Sequence, residues 1–264
     1  MNILITGTAS GIGRAAAELF LKNGHNVYGV DIRQTELCGQ YLGFVADITD
    51  EQSLIAIEEY FRANGVRLDA IVNVAGMHIM TSMVEGDFAR IKKVVDINLC
   101  GAMLVNRVFY PFLLEKGRIV IVTSEVAPLD PMPFNGLYSV TKTALDSYAQ
   151  ALRQELNLLD QKVITIRPGA VETPLSVGSV QATAKLADKT VLYEKQAKRF
   201  SLLAARFMGK PIRPEKLGAL IFKAVTVKHP KLIYHKNRHI GLMLLNILPK
   251  RLQCAVIKFL LNRK

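Results

Sequence analysis

The sequence predicts an α/β protein in which helices cover both faces of a central parallel β-sheet, the doubly wound arrangement. Short apolar runs alternate with helix-like segments along most of the chain. The runs are apolar throughout, as in strands buried on both faces. Each is followed by a glycine, a proline or a polar residue, at Gly7, Asp31, Asp47, Asn73, Ser124 and Pro168. Because ligands of such sheets gather at the carboxyl ends of the strands, we expect one shared site there.

The elements follow in chain order. Strands are expected at residues 2–6, 25–31, 41–47, 68–76, 118–124 and 162–174. Helices are expected at 14–24, 50–65, 88–114 and 137–156, because apolar residues recur there at intervals of three and four. Asp50 is predicted to cap the second of these helices.

The first strand runs into a glycine turn, GTASGIG at residues 7–13, and then into a helix. Glycines let the backbone approach a pyrophosphate, and a helix N-terminus favours negative charge. The second strand ends at Asp31, where a carboxylate would accept a hydrogen bond from the ribose 2′-hydroxyl of NAD and repel the 2′-phosphate of NADP. We therefore expect NAD(H) to be preferred. NADP(H) stays open, because the nearby Arg33 could pair with the 2′-phosphate.

A second pattern joins Ser124, Tyr138 and Lys142. Tyr138 and Lys142 are four residues apart in a predicted helix, so their side chains share one face. A nearby cation is expected to lower the pKa of the phenol, which would make Tyr138 a general acid or base. Ser124 ends a buried strand, where its hydroxyl can bind a substrate oxygen. A Tyr–Lys pair at this spacing is also common on solvated helices, and this pattern alone leaves both interpretations open.

Composition excludes several classes of protein. The 264 residues are 50% hydrophobic, and three cysteines and five histidines are scattered without metal-ligand spacing. We therefore expect no metal site, no disulfide framework and a reducing, cytoplasmic compartment. Cys100 and Cys254 lie in apolar stretches and are expected in the core. Neither a leader before the first strand nor a membrane-spanning run is expected.

The charge is concentrated at the C-terminal end. The chain carries a net +12, yet residues 206–264 hold 14 Lys and Arg against one acid, Glu215. Residues 228–264 are predicted to form a short strand at 232–234 and two helices broken at Pro249. Their apolar clusters, 240–248 and 255–261, are flanked by cations. Such a face suits anionic lipid, the protein's own core or a partner subunit, and all three stay open. Nucleic acid is not expected, because aromatic interleaving and known modules are absent.

Together the motifs resemble the short-chain dehydrogenase/reductase (SDR) family, which has a Rossmann fold. The matching segments are TGTASGIG at 6–13, Asp31, Asp47-Ile48, NVAG at 73–76, Asn98, Ser124, YSVTK at 138–142 and RPGAVETP at 167–174. They come in the family's order and cover residues 1 to about 227, which we interpret as the catalytic domain, with 228–264 as a basic helical extension. Two departures are mild: NVAG replaces the commoner NNAG, and the interval from Ser124 to Tyr138 is one residue longer than usual.

The resemblance implies a role for each matching residue. Tyr138 would be the general acid/base, Ser124 would polarise the substrate carbonyl, and Lys142 would hold the nicotinamide ribose. Asn98 would hold a water that relays protons through Lys142. The implied cofactor-binding residues are Gly7, Ser10, Gly11, Ile12, Gly13, Asp31, Asp47, Ile48, Asn73, Ala75, Gly76, Tyr138, Lys142, Pro168, Gly169, Val171 and Thr173. The implied reaction is reversible hydride transfer between a secondary alcohol and NAD(P).

Substrate contacts in this family come from variable segments, here 77–87, 126–136 and a lid at about 175–211 with a helical core at 184–209. Several Met residues give these segments an adaptable apolar surface. We expect an apolar alcohol or ketone, such as a hydroxysteroid or retinoid-like molecule, unless the Met residues pack against each other. A 3-oxoacyl carrier reductase and a non-catalytic nucleotide-binding sensor are the alternatives. A homo-oligomer, dimer or tetramer, is expected, and attachment at the periphery of a membrane if the tail binds lipid.

Overall fold

The structure, a computed structural model, describes residues 1–176, 182–183, 185–207 and 210–263, without the side chains of 205–207. At its centre is a parallel sheet of seven strands in the order β3-β2-β1-β4-β5-β6-β7. The strands are β1 (Asn2–Thr6), β2 (Asn26–Asp31), β3 (Tyr41–Val45), β4 (Leu68–Asn73), β5 (Leu113–Val122), β6 (Lys162–Pro168) and β7 (Ile233–Lys236). The strand order reverses between β1 and β4, which opens a crevice at their carboxyl ends.

Helices cover both faces of the sheet, as predicted. They are α1 (Gly11–Lys22), α2 (Glu51–Ala63), α3 (Phe88–Val95), α4 (Gly101–Phe109), α5 (Gly136–Asn157), α6 (Glu194–Phe207), α7 (Glu215–Thr226), α8 (Ile240–Ile247) and α9 (Lys250–Asn262). One apolar core packs α2, α4 and α5 against the sheet around Phe61 and Phe109. The other packs α1 and α7 around Phe20 and Ile221. Asp50 caps α2 as predicted, since its carboxylate accepts from the N–H of Gln52 at 3.1 Å.

The prediction of one long helix at 88–114 is wrong at the centre of this range and at its end. A π-helical turn, Asp96–Cys100, separates α3 from α4. After α4, a 3₁₀ turn at Tyr110–Phe112 contains Pro111, and β5 begins at Leu113, which pairs with Leu68 of β4. A proline disfavours helical geometry in the residue before it. Periodicity did not separate these apolar residues from the helix, because a short apolar run fits either structure.

The predicted lid helix at 184–209 also begins too early. A 3₁₀ turn at Ala187–Lys189 precedes an extended stretch, and α6 begins only at Glu194. The carboxylate of Glu85 accepts hydrogen bonds from the N–H groups of Val191 at 2.8 Å and Leu192 at 3.0 Å, and from the hydroxyl of Thr190. These bonds satisfy the backbone outside a helix. Residues 177–181, 184, 208 and 209 of the predicted lid lie outside the described residues.

The C-terminal region begins inside the sheet. β7 pairs with β6, and α8 and α9 follow with a break at Pro249, as predicted. The prediction that Cys100 and Cys254 lie in the core is wrong: both are exposed, because each falls on the outer side of its helical turn. None of the helices in the described part of the chain is long and apolar enough to cross a membrane.

Candidate active site

A cleft of about 870 Å³ opens at the carboxyl ends of the strands. Of the predicted site residues, all but Asn73 and Asn98 line it. The lining members are Gly7, Ser10, Gly11, Ile12, Gly13, Asp31, Asp47, Ile48, Ala75, Gly76, Ser124, Tyr138, Lys142, Pro168, Gly169, Val171 and Thr173. The structure therefore brings together segments that are far apart in the sequence.

The glycine turn has a backbone that only glycine accommodates well. Gly7 and Gly11 have φ angles of 77° and 57°, in the left-handed region. A side chain on Gly13 would place its Cβ only 2.1 Å from the carbonyl oxygen of Gly7. The first turn of α1 contains no acidic residue, and the side chain of Ser10 makes no capping bond. This end of α1 therefore fits an anionic group such as a pyrophosphate.

At the end of β2, the Asp31 carboxylate is held on both oxygens. It accepts from the N–H of Ala9 at 3.0 Å and from the N–H of Arg33 at 3.0 Å. The guanidinium of Arg33 lies 3.7 Å from the same carboxylate and donates to the hydroxyl of Ser10 at 3.0 Å. An acid and a cation thus stand side by side where the ribose of a dinucleotide would lie next to the glycine turn.

Ser124, Tyr138 and Lys142 meet in the middle of the cleft. The Ser124 hydroxyl is close enough to the Tyr138 phenol to lower its pKa. The ammonium of Lys142 lies 5.8 Å from the centre of the Tyr138 ring and donates to the carbonyl oxygen of Val122 at 3.3 Å. Lys142 is only 4% exposed, so Tyr138 and Lys142 do not form a solvated helix pair, and Ser124 beside them is 6% exposed.

The prediction that the pKa of Tyr138 is lowered is wrong. Burial raises the pKa of Tyr138 to about 12, and the nearby carboxylate of Glu125 adds to the rise, while the Ser124 hydroxyl opposes it. Burial also lowers the pKa of Lys142 to about 8. Sequence spacing placed the cation beside the ring correctly, but it could not show how far removal from water raises the pKa of the phenol.

Asn98 lies behind the cleft wall in the π-helical turn. Its amide accepts from the N–H of Met77 at 2.6 Å and donates to the Met77 carbonyl at 2.8 Å and the Thr141 hydroxyl at 3.0 Å. A Cβ on Gly76 would lie 3.2 Å from the Asn98 Oδ1 atom and 3.4 Å from the Lys142 Nζ atom. Asn98 therefore fixes the segment after Gly76 beside Lys142, and its predicted proton relay stays a prediction.

The side chain of Asn73 also lies away from the cleft. Its amide donates to Oδ1 of Asn106 at 2.8 Å, and Asn106 in turn donates to the hydroxyl of Tyr148 at 3.2 Å. The turn faces the cleft through Val74, Ala75 and Gly76 instead. Asn73 thus holds the turn from behind, which the motif NVAG did not indicate.

Two lining residues next to Tyr138 and Ser124 were not predicted from the sequence. His78 packs edge-on against Tyr138, with ring centres 4.4 Å apart, and its Nε2 atom lies 2.7 Å from Oδ1 of Asn135. Burial lowers the pKa of His78. Glu125 follows Ser124, and its carboxylate accepts from the N–H of His239 at 2.6 Å. Burial raises the pKa of Glu125. Only their positions beside Gly76 and Ser124 could have singled them out.

The C-terminal helices form the far wall of the cleft. Leu242 and Leu245 of α8 and Gln253 and Ile257 of α9 line it. Asn246 accepts from the N–H of Asp130 at 2.8 Å, and Lys250 forms an ion pair with Asp130. Leu261 joins Phe134 and Phe200 in a small apolar cluster. The inner side of the tail therefore packs against the protein itself.

A family model for short chain dehydrogenases matches residues 1–184. The chain belongs to the short-chain dehydrogenase family. As a member, this short-chain dehydrogenase is an oxidoreductase that acts on CH–OH groups and uses NAD(P)(H). In the described part of the chain, no group of three or more His, Cys, Asp and Glu side chains is arranged to hold a metal ion.

Curated relatives differ in the substrates for which they are named. The 3-ketodihydrosphingosine reductase of Bacteroides thetaiotaomicron is 29% identical over 235 residues, which cover 86% of this chain and 84% of that protein. The serine 3-dehydrogenase of Rhizobium radiobacter is 33% identical, over 67% of this chain and 74% of that protein. The NADPH-dependent 1-acyldihydroxyacetone phosphate reductase of Schizosaccharomyces pombe is 34% identical, over 66% of this chain and 60% of that protein.

Solved structures confirm the fold. A short chain dehydrogenase family protein from Francisella tularensis superposes with a TM-score of 0.75 at 24% identity, over 89% of this chain and 96% of that one. The ligand-free aldohexose dehydrogenase of Thermoplasma acidophilum gives 0.71 at 18% identity, over 91% and 93%. The doubly wound Rossmann fold predicted from the sequence is the fold of the short-chain dehydrogenases.

Proposed function

We propose that this short-chain dehydrogenase interconverts an apolar secondary alcohol and its ketone and prefers NAD(H). The observation that carries the proposal is the position of Ser124, Tyr138 and Lys142. They lie between the glycine turn on one side of the cleft and an apolar chamber on the other. A carbonyl carbon bound at this junction would be open to the cofactor, while the rest of its molecule would lie in the chamber.

The chamber supports an apolar substrate because its wall is mostly hydrocarbon and thioether. It is lined by Met80, Met132, Phe200, Leu242, Leu245 and Ile257. Two relatives are named for lipids, a ketodihydrosphingosine and an acyldihydroxyacetone phosphate. Long-chain lipid ketones therefore join the hydroxysteroid and retinoid-like molecules as substrates to test.

The chain's own residues supply positioning and proton transfer. Tyr138 holds a proton at its hydroxyl, since its pKa of about 12 keeps the phenol protonated at neutral pH. It can give that proton to the oxygen of a ketone as the oxygen becomes an alcohol. The Ser124 hydroxyl orients the same oxygen, and Lys142 supplies positive charge below its pKa of about 8. When bound, the nicotinamide supplies or accepts the hydride.

The NAD(H) preference rests on Asp31, whose carboxylate would repel a 2′-phosphate at the end of β2. Arg33 works against it, and one relative is named as NADPH-dependent. Replacing Arg33 with Ala should leave kcat/KM for NADH within about threefold and lower any activity with NADPH about tenfold or more, because an unpaired phosphate then faces Asp31. A kcat/KM that is higher for NADPH than for NADH in the unaltered protein would refute the preference.

A substrate panel tests the reaction itself. The absorbance of reduced nicotinamide would be followed with hydroxysteroids, retinol, a long-chain 3-keto lipid and short secondary alcohols, with each cofactor. We expect turnover of apolar members and weak turnover of the short alcohols. If no substrate of the panel is turned over while NADH binding is shown by thermal shift, the proposal is contradicted. It would favour a carrier-bound 3-oxoacyl substrate or a non-catalytic sensor.

A further inference from the structure

The outer sides of the two C-terminal helices carry an apolar surface, here called the outer face. It consists of Ile240, Leu244 and Ile247 of α8 and Leu252 and Phe259 of α9. These side chains are 49–77% exposed, although each is large and apolar. Large apolar side chains grouped on a surface mark a site of interaction more often than isolated ones do.

Helical geometry separates the outer face from the cleft wall. In α8, residues 240, 244 and 247 recur at intervals of four and three, so they share one side. The cleft-lining Leu242 and Leu245 point to the other side of the same helix. In α9, Leu252 and Phe259 are seven residues apart, whereas Gln253 and Ile257 face the cleft. Each helix is therefore apolar on two sides, and the residues that the structure describes cover only one of them.

Cations border the outer face. Arg251 and Lys258 are seven residues apart in α9 and lie beside its apolar stripe. The guanidinium of Arg263 lies 5.7 Å from the centre of the Phe259 ring. None of these three cations forms an ion pair with any residue that the structure describes. Lys250 is different, because it is paired with Asp130. The sequence from 228 to 264 contains nine Lys and Arg and no acid.

We propose that the outer face docks on an anionic lipid surface, with α8 and α9 lying in the plane of the interface. Exposed apolar side chains enter the headgroup region, and the neighbouring cations meet lipid phosphates and carboxylates. A second copy of the chain fits less well, because a symmetric contact would bring the same cations together. The proposal does not depend on the reaction, since it concerns the surface opposite to the cleft wall.

Docking would bring the substrate chamber close to the lipid. Leu242 and Leu245 line the chamber from the same short helix that presents Leu244 and Ile247 outward. Only the width of one helix, about 10 Å, separates the two sides. An apolar substrate dissolved in the lipid would then have a short path to the cleft.

Vesicle co-sedimentation of the full chain tests the proposal. The vesicles contain either phosphatidylcholine alone or phosphatidylcholine with about one third phosphatidylserine. The test variant is Leu244→Ser with Ile247→Ser. The matched control is Leu158→Ser with Leu159→Ser, which removes two equally exposed leucines at the end of α5, where 84% and 59% of their surfaces are open. Circular dichroism and NADH binding show that each variant is folded.

We expect the unaltered chain and the control to bind the anionic vesicles at least tenfold more strongly than the test variant does. Binding should weaken on phosphatidylcholine alone and at high salt. Equal binding by the test variant and the control would overturn the proposal. So would an absence of binding by the unaltered chain. If that absence comes with a dimer that the test variant loses, as measured by analytical ultracentrifugation, the outer face is a contact between copies.

Discussion

The glycine turn and the group of Ser124, Tyr138 and Lys142 differ from the C-terminal cover, helices α8 and α9, in what holds them in place. In the first region, backbone and polar contacts leave little freedom: Gly13 cannot carry a side chain, and Lys142 is buried against the Val122 carbonyl. In the cover, α8 and α9 are held by apolar packing, by the part-buried bond between Asn246 and the Asp130 N–H, and by the exposed ion pair of Lys250. In the proposed function, the first region would carry out the reaction and the cover would select the substrate. Four sets of variants would test this difference between the two regions.

Replacing Tyr138 with Phe should lower kcat about 10²- to 10⁴-fold, because the proton donor is lost. The ring should still pack against His78, so the affinity for NADH should stay within a few-fold. Steady-state kinetics and a thermal-shift titration with NADH measure the two quantities. Tyr148→Phe is the control, since it removes another phenol hydroxyl, one bonded to Asn106 outside the cleft. Turnover unchanged by Tyr138→Phe would remove Tyr138 from the mechanism.

Two ion pairs, one next to the first region and one at the start of α9, allow a direct comparison of their contributions to stability. Arg167 donates to Asp146 through two nitrogens, and the two side chains are only 14% and 17% exposed. Arg167→Ala should cost about 3 kcal/mol of unfolding free energy, because it leaves a mostly buried carboxylate without its counter-charge, with only the Thr123 hydroxyl donating to it among the described residues. Lys250 is 74% exposed, and Lys250→Ala should cost about 0–1 kcal/mol. Urea unfolding measures both. Equal losses would show that the cover is held as firmly as the core.

The buried Lys142 should make the protein less stable at neutral pH than it is at high pH. Its pKa is about 8 in the folded protein, against about 10.4 when unfolded. Below pH 8 both states hold the proton, and the cost of burying the ammonium is fully present. Between the two values the unfolded state binds more protons, so stability rises with pH.

At pH 7, the unfolding free energy of Lys142→Met, measured with urea, should therefore be about 1–3 kcal/mol higher than that of the unaltered protein. The difference should shrink at pH 10. This allows for the lost hydrogen bond to Val122. Lys162→Met is the control, since the Lys162 ammonium makes an exposed hydrogen bond to the Lys228 carbonyl, and it should not be more stable than the unaltered protein at pH 7. A destabilised Lys142→Met variant at pH 7 would mean that the ammonium is well solvated by its surroundings.

The smallest effect is expected from the cleft wall. Leu242→Ala should raise KM for an apolar substrate about tenfold, because it removes buried hydrocarbon contact. KM for NADH should not change. Leu244→Ala, two residues along the same helix but on the outer face, is the control in an assay with a water-soluble substrate. Equal KM values for the two variants would show that the substrate does not reach α8.

The sequence predicted the first region well because its chemistry requires particular residues at particular backbone positions. Gly7, Gly11 and Gly13 are needed for backbone geometry, and Asp31 and Ser124 follow strands whose apolar runs are easy to recognise. All of these residues line the cleft. The NVAG motif was less informative, since Asn73 turned out to hold its turn from behind.

Tertiary packing decided what the sequence did not predict. The Tyr138 pKa depends on how completely the fold removes water, which no local spacing records. The start of α6 depends on Glu85, which is about a hundred residues earlier in the chain. The cleft wall from Leu242 to Ile257 was predicted only as an apolar helical tail, because packing against the cleft and binding to a partner require the same kind of side chain.

The π-helical turn at Asp96–Cys100 determines where the two helices beside it can pack. Val94 and Val105 are eleven residues apart, so an uninterrupted α-helix would place them on one side, within about 20° of each other. They pack elsewhere: Val94 joins Ile79 and Leu137 near the site, and Val105 joins the core under the sheet. The extra residue of the π-turn rotates α4 by about 100° relative to α3. An unbroken α-helix with the same number of residues would therefore pull one of the two valines out of its cluster, whereas deleting one residue from the turn would leave them on different sides.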